Sequence, residues 1–125
     1  MDNWGEFEFN EAYSGSEITK INDVVLPEQY IEFMKKHNGG EGDIGESWLI
    51  LYRLEELQEV NDEYKVQEYL AGCVVIGTNG GDEFYGIDKN GNYFNVPSLM
   101  CEEDITLLGD DLNGLPEKIN DMWSD

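Results

Sequence analysis

One histidine, two cysteines, three prolines and seven lysine or arginine residues are all that 125 positions hold of those types. Each scarcity closes a class of chemistry. A Ser–His–Asp or Cys–His nucleophilic centre would have to use His37, and His37 already has a structural reason to be where it is, as a cation at the negative C-terminal end of a helix. One histidine and two cysteines far apart, Cys73 and Cys101, cannot supply a tetrahedral metal site, and two cysteines are too few for a disulfide scaffold. Cys73 opens the apolar run Cys73-Val74-Val75-Ile76 and reads as a buried thiol. Seven cations cannot make an electrostatic footprint on nucleic acid. No apolar stretch approaches the ~18 residues of a membrane span, and no basic-then-apolar segment marks a secretory signal. The expectation is a cytoplasmic protein with no nucleic-acid partner, no membrane partner, no cofactor, no metal and no catalytic residue.

Acidic side chains are present in excess: 28 Asp and Glu against seven basic residues, a formal net charge of −21. A polyanion this dense ordinarily stays disordered, because it has too little apolar surface to bury. Here 40% of the residues are hydrophobic and 12% aromatic, so the composition reads as a folded domain that tolerates self-repulsion. The length suits one domain, residues 1–125, able to bury about two-thirds of its unfolded surface without staples. Solubility asks for a net charge of only about 2–8 in a small domain. The excess points to a surface that repels nucleic acid and anionic lipid and attracts basic proteins. Generic surface acidity, as in salt-adapted proteins, is the alternative.

Along the chain there is no internal repeat and no long Pro- or Ser-rich linker. Residues 1–15 are acidic and aromatic, with Trp4, Phe7, Phe9 and Tyr13; the alternation Phe7-Glu8-Phe9 suggests a short strand, and a loosely held arm is the other reading. Ser16 suits the N-cap of a short helix carrying Ile18 and Ile21. Pro27 suits the first position of a second helix. Lys35, Lys36 and His37 fill its last turn, and Asn38-Gly39 supplies a left-handed stop. Leu26, Tyr30, Phe33 and Met34 fall on one face of it and should be core. Residues 39–43, Gly-Gly-Glu-Gly-Asp, read as a loop, and residues 47–52 as a buried strand. A helix is expected over 54–69, with Leu54, Leu57, Val60, Asn61 and Tyr64 inward and Glu55, Glu56, Glu59, Asp62 and Glu63 outward. Residues 73–77 form a second buried strand. Residues 83–88 and 93–96 form a hairpin around Asn90-Gly91, a type I′ turn signal. Residues 105–108 are short and apolar, a further strand, and 116–123 a closing helix with Ile119, Met122 and Trp123 inward. The fold class is α+β: a mostly antiparallel central sheet, covered on one side, with N-terminal and C-terminal helices packed on it.

The remaining motifs carry little chemistry. Paired carboxylates hydrolyse glycosides at separations of about 5–9 Å, but with 28 acidic residues such pairs arise by chance. Asp88-Lys89-Asn90-Gly91-Asn92 begins like a calcium loop, yet its sixth and twelfth positions are Tyr93 and Leu99 where an EF-hand needs Gly and Glu. Thr78-Asn79-Gly80-Gly81-Asp82 follows a strand but has no lysine and no helix after it, as a phosphate cradle requires.

The order of the segments resembles the SUKH superfamily, which includes bacterial immunity proteins and the yeast regulator of cell-wall synthesis that gave one branch its name. Leu26-Pro27-Glu28-Gln29-Tyr30, then Asn38-Gly39-Gly40, is similar to the opening motif. The strand from Trp48 into Leu54-Glu55-Glu56-Leu57 follows, then Val75-Ile76-Gly77 with Gly80-Gly81-Asp82 and Phe84 to Asp88, then the closing helix. The resemblance covers residues 16–123 and is to the cell-wall-synthesis-regulator-like branch. It implies a non-enzymatic α+β protein, an immunity protein that binds and neutralises a cognate toxin, often a nuclease, in a bacterial cell. A regulatory scaffold or interaction domain is the alternative. It carries over no catalytic residue, and the glycines at 39, 40, 80 and 81 read as turn formers.

Nuclease domains bind polyphosphate through basic faces, so a strongly acidic inhibitor would be steered onto them. The expected partner is a basic toxin domain, met by a monomer in a one-to-one complex. Candidate toxin-binding residues are Glu41, Asp43 and Glu46 after the first Gly-Gly pair, and Asp82 and Glu83 after the second, since both clusters read as loops. Trp48 begins the adjacent strand, as an aromatic anchor or as core.

Overall fold

The computed structural model describes Trp4 and residues 7–16, 18–22, 24–44 and 47–123, without the side chain of Trp123. In chain order these residues form β1 (Glu8–Phe9), β2 (Lys20–Ile21), β3 (Val24–Val25), α1 (Glu28–Lys36), β4 (Gly40–Ile44), β5 (Ser47–Leu51), α2 (Leu57–Glu63), α3 (Val66–Tyr69), β6 (Val74–Thr78), β7 (Glu83–Ile87), β8 (Tyr93–Pro97), β9 (Thr106–Leu107) and α4 (Leu115–Trp123). Seven strands make one sheet in the order β1-β4-β5-β6-β7-β8-β9, and every neighbouring pair is antiparallel. The fold is α+β, as expected from the segment pattern.

Several local expectations fail for identifiable reasons. Residues 18–22 are not a helix. Lys20–Ile21 and Val24–Val25 pair as a separate hairpin, Ile21 against Val24, with Asn22 turning at φ 47°. The pairing buries both apolar residues, Ile21 and Val24, and β-branched side chains favour extended backbone. Pro27 stands one residue before α1 with extended backbone, φ −60° and ψ 143°. The expected helix over 54–69 is broken. A single 3-10 turn at Leu54–Glu56 leads into α2, and Lys65 then enters the left-handed region at φ 54° before α3. Leu54, Leu57 and Asn61 are buried as expected, but the break leaves Tyr64 45% exposed. The hairpin at Asn90-Gly91 has no type I′ turn, which needs positive φ at two central residues; here Gly91 alone has it, at 84°. The Asp88 carboxylate accepts from the Asn90 and Asn92 N–H groups, each at 2.9 Å, and this shapes the turn instead.

The sheet is covered on both faces over part of its width, where cover on one side was expected. On the first face Tyr30, Phe33 and Met34 of α1 and Ile119 of α4 share a core with Leu49, Leu51, Val74, Ile76, Tyr85, Ile87 and Tyr93. Trp4 joins it, its ring centroid 5.3 Å from that of Phe33. On the second face Val66 of α3 and Leu70 just after it, with Met100, pack on Val75, Phe84, Phe94 and Val96. This double burial is why β6 reads as a continuous apolar run. Trp123, expected inward, lies outside the described side chains.

Where β5 parts from β6 an asparagine replaces the missing strand. The pairing reaches only Ile50 with Thr78 and Leu51 with Gly77. Beyond it Asn61 of α2 accepts from the Val75 N–H at 2.8 Å and donates to the Val75 carbonyl at 3.0 Å. A buried backbone pair is thereby satisfied by a side-chain amide.

Candidate functional site

Among the described residues the second face is uncovered over β1, β4 and β5. Burial alternates along β4: Gly40, Gly42 and Ile44 point inward, Glu41 and Asp43 outward. Along β5, Leu49 and Leu51 point inward, while Trp48 is exposed and Ile50 half-buried. Cross-strand partners share a face. The register pairs Glu8 with Glu41, and Glu41 with Ile50 and Asp43 with Trp48. Glu8, Glu41, Asp43, Trp48 and Ile50 therefore form one surface.

Two expectations about these residues are corrected. Glu41 and Asp43 do not sit on a loop after Gly39-Gly40; they sit on β4. Gly39 turns at φ 81°, but Gly40 is already in the strand at φ 152°. A Cβ on Gly40 would run into the Glu8 carbonyl oxygen and stand 2.9 Å from the Phe7 ring. Glycine is there because β1 and the Phe7 ring lie against it, and a glycine in a strand marks a close approach of this kind. Trp48 is 41% exposed, so the core alternative does not hold for it.

The second Gly-Gly cluster reaches the same surface only in part. Residues 79–83 form a tight turn in which Asn79 Oδ1 accepts from the Gly81 N–H at 2.9 Å and the Glu83 N–H at 3.2 Å. A Cβ on Gly80 would lie 3.7 Å from Trp48 Cδ1 and 3.5 Å from Ile50 Cδ1, so this turn abuts the open face. Asp82 is exposed and lines, with Ser47, Trp48, Asn79 and Glu83, a depression of about 290 Å³. Glu83 begins β7. Phe84 belongs to the second face and Tyr85 to the first, so alternation turns Glu83 toward the first face, where its carboxylate accepts from Asn95 Nδ2 at 3.0 Å. Glu46 lies outside the described residues.

The sequence reading missed two members of this surface, and one exposed tyrosine at the end of α2. Glu8 was legible in the Phe7-Glu8-Phe9 alternation. Ile50 could have been read as outward from the alternation with Leu49 and Leu51. Tyr64 carried no such signal: it follows the helical period of α2, and only the break at Lys65 turns it out. Its ring meets that of Phe84 edge-on at 5.0 Å. Tyr52 is half-buried beside it. Burial, then the Tyr64 hydroxyl and the carboxylates of Glu56 and Glu63, push the Tyr52 hydroxyl up to about 12. None of the chain's seven cations, at 20, 35, 36, 53, 65, 89 and 118, lies on β1, β4, β5, β6 or residues 79–83.

His37 stacks on Phe9 at 4.5 Å and meets Phe33 at 6.0 Å. Among the described residues no group of His, Cys, Asp and Glu is placed to hold a metal. No helix among them is long and apolar enough to cross a membrane.

The model of the SMI1 / KNR4 family (SUKH-1) matches residues 16–115. The chain belongs to this family. No curated protein matches it. SMI1 / KNR4 domains are generally non-enzymatic, with immunity or regulatory roles. The family's motif pieces prove to be bonded to one another. Asn38 of Asn38-Gly39-Gly40 accepts from the Leu54 N–H at 2.7 Å and donates to Glu55 Oε1 at 2.6 Å, which holds the Glu55 carboxyl below its ordinary range. Asn10 Nδ2 donates to the Asn38 carbonyl at 3.0 Å. One asparagine thus joins the end of α1, the entry to α2 and the N-terminal segment. These bonds build the scaffold, and none of them uses an outward side chain of the open face.

Proposed function

We propose that this SMI1 / KNR4 domain is a non-enzymatic immunity protein that binds and neutralises a cognate bacterial toxin domain with a basic surface, of the nuclease class. The single observation that carries the reading is the open half-sheet. It exposes a tryptophan among carboxylates, and no lysine or arginine stands on its strands. Inside the chain this arrangement is unfavourable. Glu8 and Glu41 face each other across a strand pair, and like charges so placed destabilise a sheet by up to ~1 kcal/mol. A cationic partner would relieve that repulsion and be drawn in by it. The acidity of the whole chain supports the same reading, because it disfavours nucleic acid and anionic membrane as partners.

The test is genetic and then physical. The terminal domain encoded by the gene directly upstream is expressed in a bacterial host with and without this chain. The expected result is growth arrest by that domain alone, rescue on co-expression, and a one-to-one complex by light scattering. Absence of both rescue and complex overturns the proposal.

A further inference from the structure

The open face has a centre, and the chemistry around it is more specific than acidity. Trp48 is 41% exposed on a strand whose other outward residue, Ile50, is half-buried. Asp43 is its direct cross-strand partner. On the other side Asp82 shares with it the depression of about 290 Å³, and the turn at Gly80 stands beside the Cδ1 edge of the indole. An aromatic surface is therefore left open between two carboxylates, one from strand β4 and one from the turn between β6 and β7.

We infer that Trp48 receives an arginine side chain of the partner, its guanidinium stacked on the indole and its N–H groups directed to Asp43 and Asp82. The inference rests on the reading of this face as a toxin-binding surface, and names what that surface selects. Guanidinium is planar and weakly hydrated, and it offers five donors in a fixed fork, so it can stack and bond to carboxylates together. An ammonium is a compact, strongly hydrated point charge and gains less from the ring. Acidity alone would attract lysine and arginine equally; the exposed indole is what separates them. The depression is too small for a folded element and of a size for one side chain.

The probes are two peptides of ten residues, all arginine and all lysine, titrated against the full chain at 0.15 M salt. General attraction to a net charge of −21 acts on both, so the quantity read is the ratio of their affinities. The expected ratio favours arginine by roughly two- to fivefold. It should fall to about one in Trp48→Leu, survive in Trp48→Phe, and shrink in the Asp43→Asn, Asp82→Asn double variant. In the unsubstituted protein the Trp48 indole N–H resonance should move with the arginine peptide and much less with the lysine peptide, a readout that needs no variant to fold. An unchanged ratio in folded Trp48→Leu, or an indole resonance indifferent to arginine, overturns the inference. Neither peptide result depends on the toxin. If Trp48→Leu captures the toxin as well as the unsubstituted chain, the immunity reading stands and the arginine site is wrong.

Discussion

Asn61 shows how far one side chain can matter in this fold. Its amide completes a strand that β5 abandons, in a place with 1% exposure. Asn61→Ala would leave the Val75 N–H and carbonyl without that partner in the interior, and each unsatisfied group costs about 1–3 kcal/mol. The expected loss is roughly 2–4 kcal/mol in denaturant unfolding, and a loss below about 1 kcal/mol would show that Val75 does not depend on the amide. Helical periodicity places Asn61 on the inner side of α2, but its partner lies 14 residues on, and no local pattern reveals such a contact. The two cysteines offer a second residue-scale test. Cys73 is buried and Cys101 exposed. Burial, with the nearby charges of Asp88 and Glu102, pushes the Cys73 thiol from the ordinary 9 to about 11. At pH 8 a thiol reagent should modify the exposed Cys101 in the native chain, while Cys73 waits for unfolding. Fast release of two equivalents from the native chain would contradict the burial. Because the folded state keeps the Cys73 proton longer than the unfolded state does, its contribution to stability is complete below pH 9 and is lost as pH rises from 9 to 11.

At the scale of elements, legibility followed side chains. The helix face of Leu26, Tyr30, Phe33 and Met34, the β6 run and the β7–β8 hairpin all bury large apolar residues, and each is plain in the sequence. β4 was not, because Gly40 and Gly42 occupy its inward positions and offer nothing apolar to count. Once the strand is known, Gly-Glu-Gly-Asp-Ile is an alternation with glycine on the inner face. The break between α2 and α3 was equally hidden, since Lys65 is a good helix former that here takes a left-handed conformation. The glycine at 40 yields the test at this scale. Gly40→Val puts a branched side chain where the Glu8 carbonyl and the Phe7 ring already lie. Strand β1 should detach, carrying Trp4 out of its contact with Phe33. The expected signature is red-shifted tryptophan emission and faster proteolysis before residue 15, with the β7–β8 amides still protected from exchange. Unaltered emission would mean that β1 tolerates the side chain by shifting along β4.

For the whole molecule, the charge of −21 sets two salt dependences of opposite sign. Within the chain it is repulsive. Raising NaCl from 0.01 to 0.1 M shortens the screening length from about 30 to about 10 Å, which silences repulsion between carboxylates on opposite sides of the domain but acts less on close pairs. Few cations are present to form attractive pairs that salt would weaken, and an exposed pair such as Lys35 with Glu32, 3.8 Å apart, contributes little. Salt should therefore stabilise this fold. A gain of about 1 kcal/mol corresponds to a rise in Tm of roughly 3–6 °C for a chain of this length. Between the chain and a basic partner the same charge is attractive, so the same change in salt should slow association while leaving dissociation nearly constant. An acidic chain with no partner to capture would show the first slope alone, because the second requires a complex that forms. Measuring Tm and association rate across one salt series thus separates a surface that is merely acidic from one shaped for capture. A Tm that falls with salt would show that attractive pairs, rather than repulsion, dominate the folded state, and an association rate that ignores salt would remove the steering role of the open face.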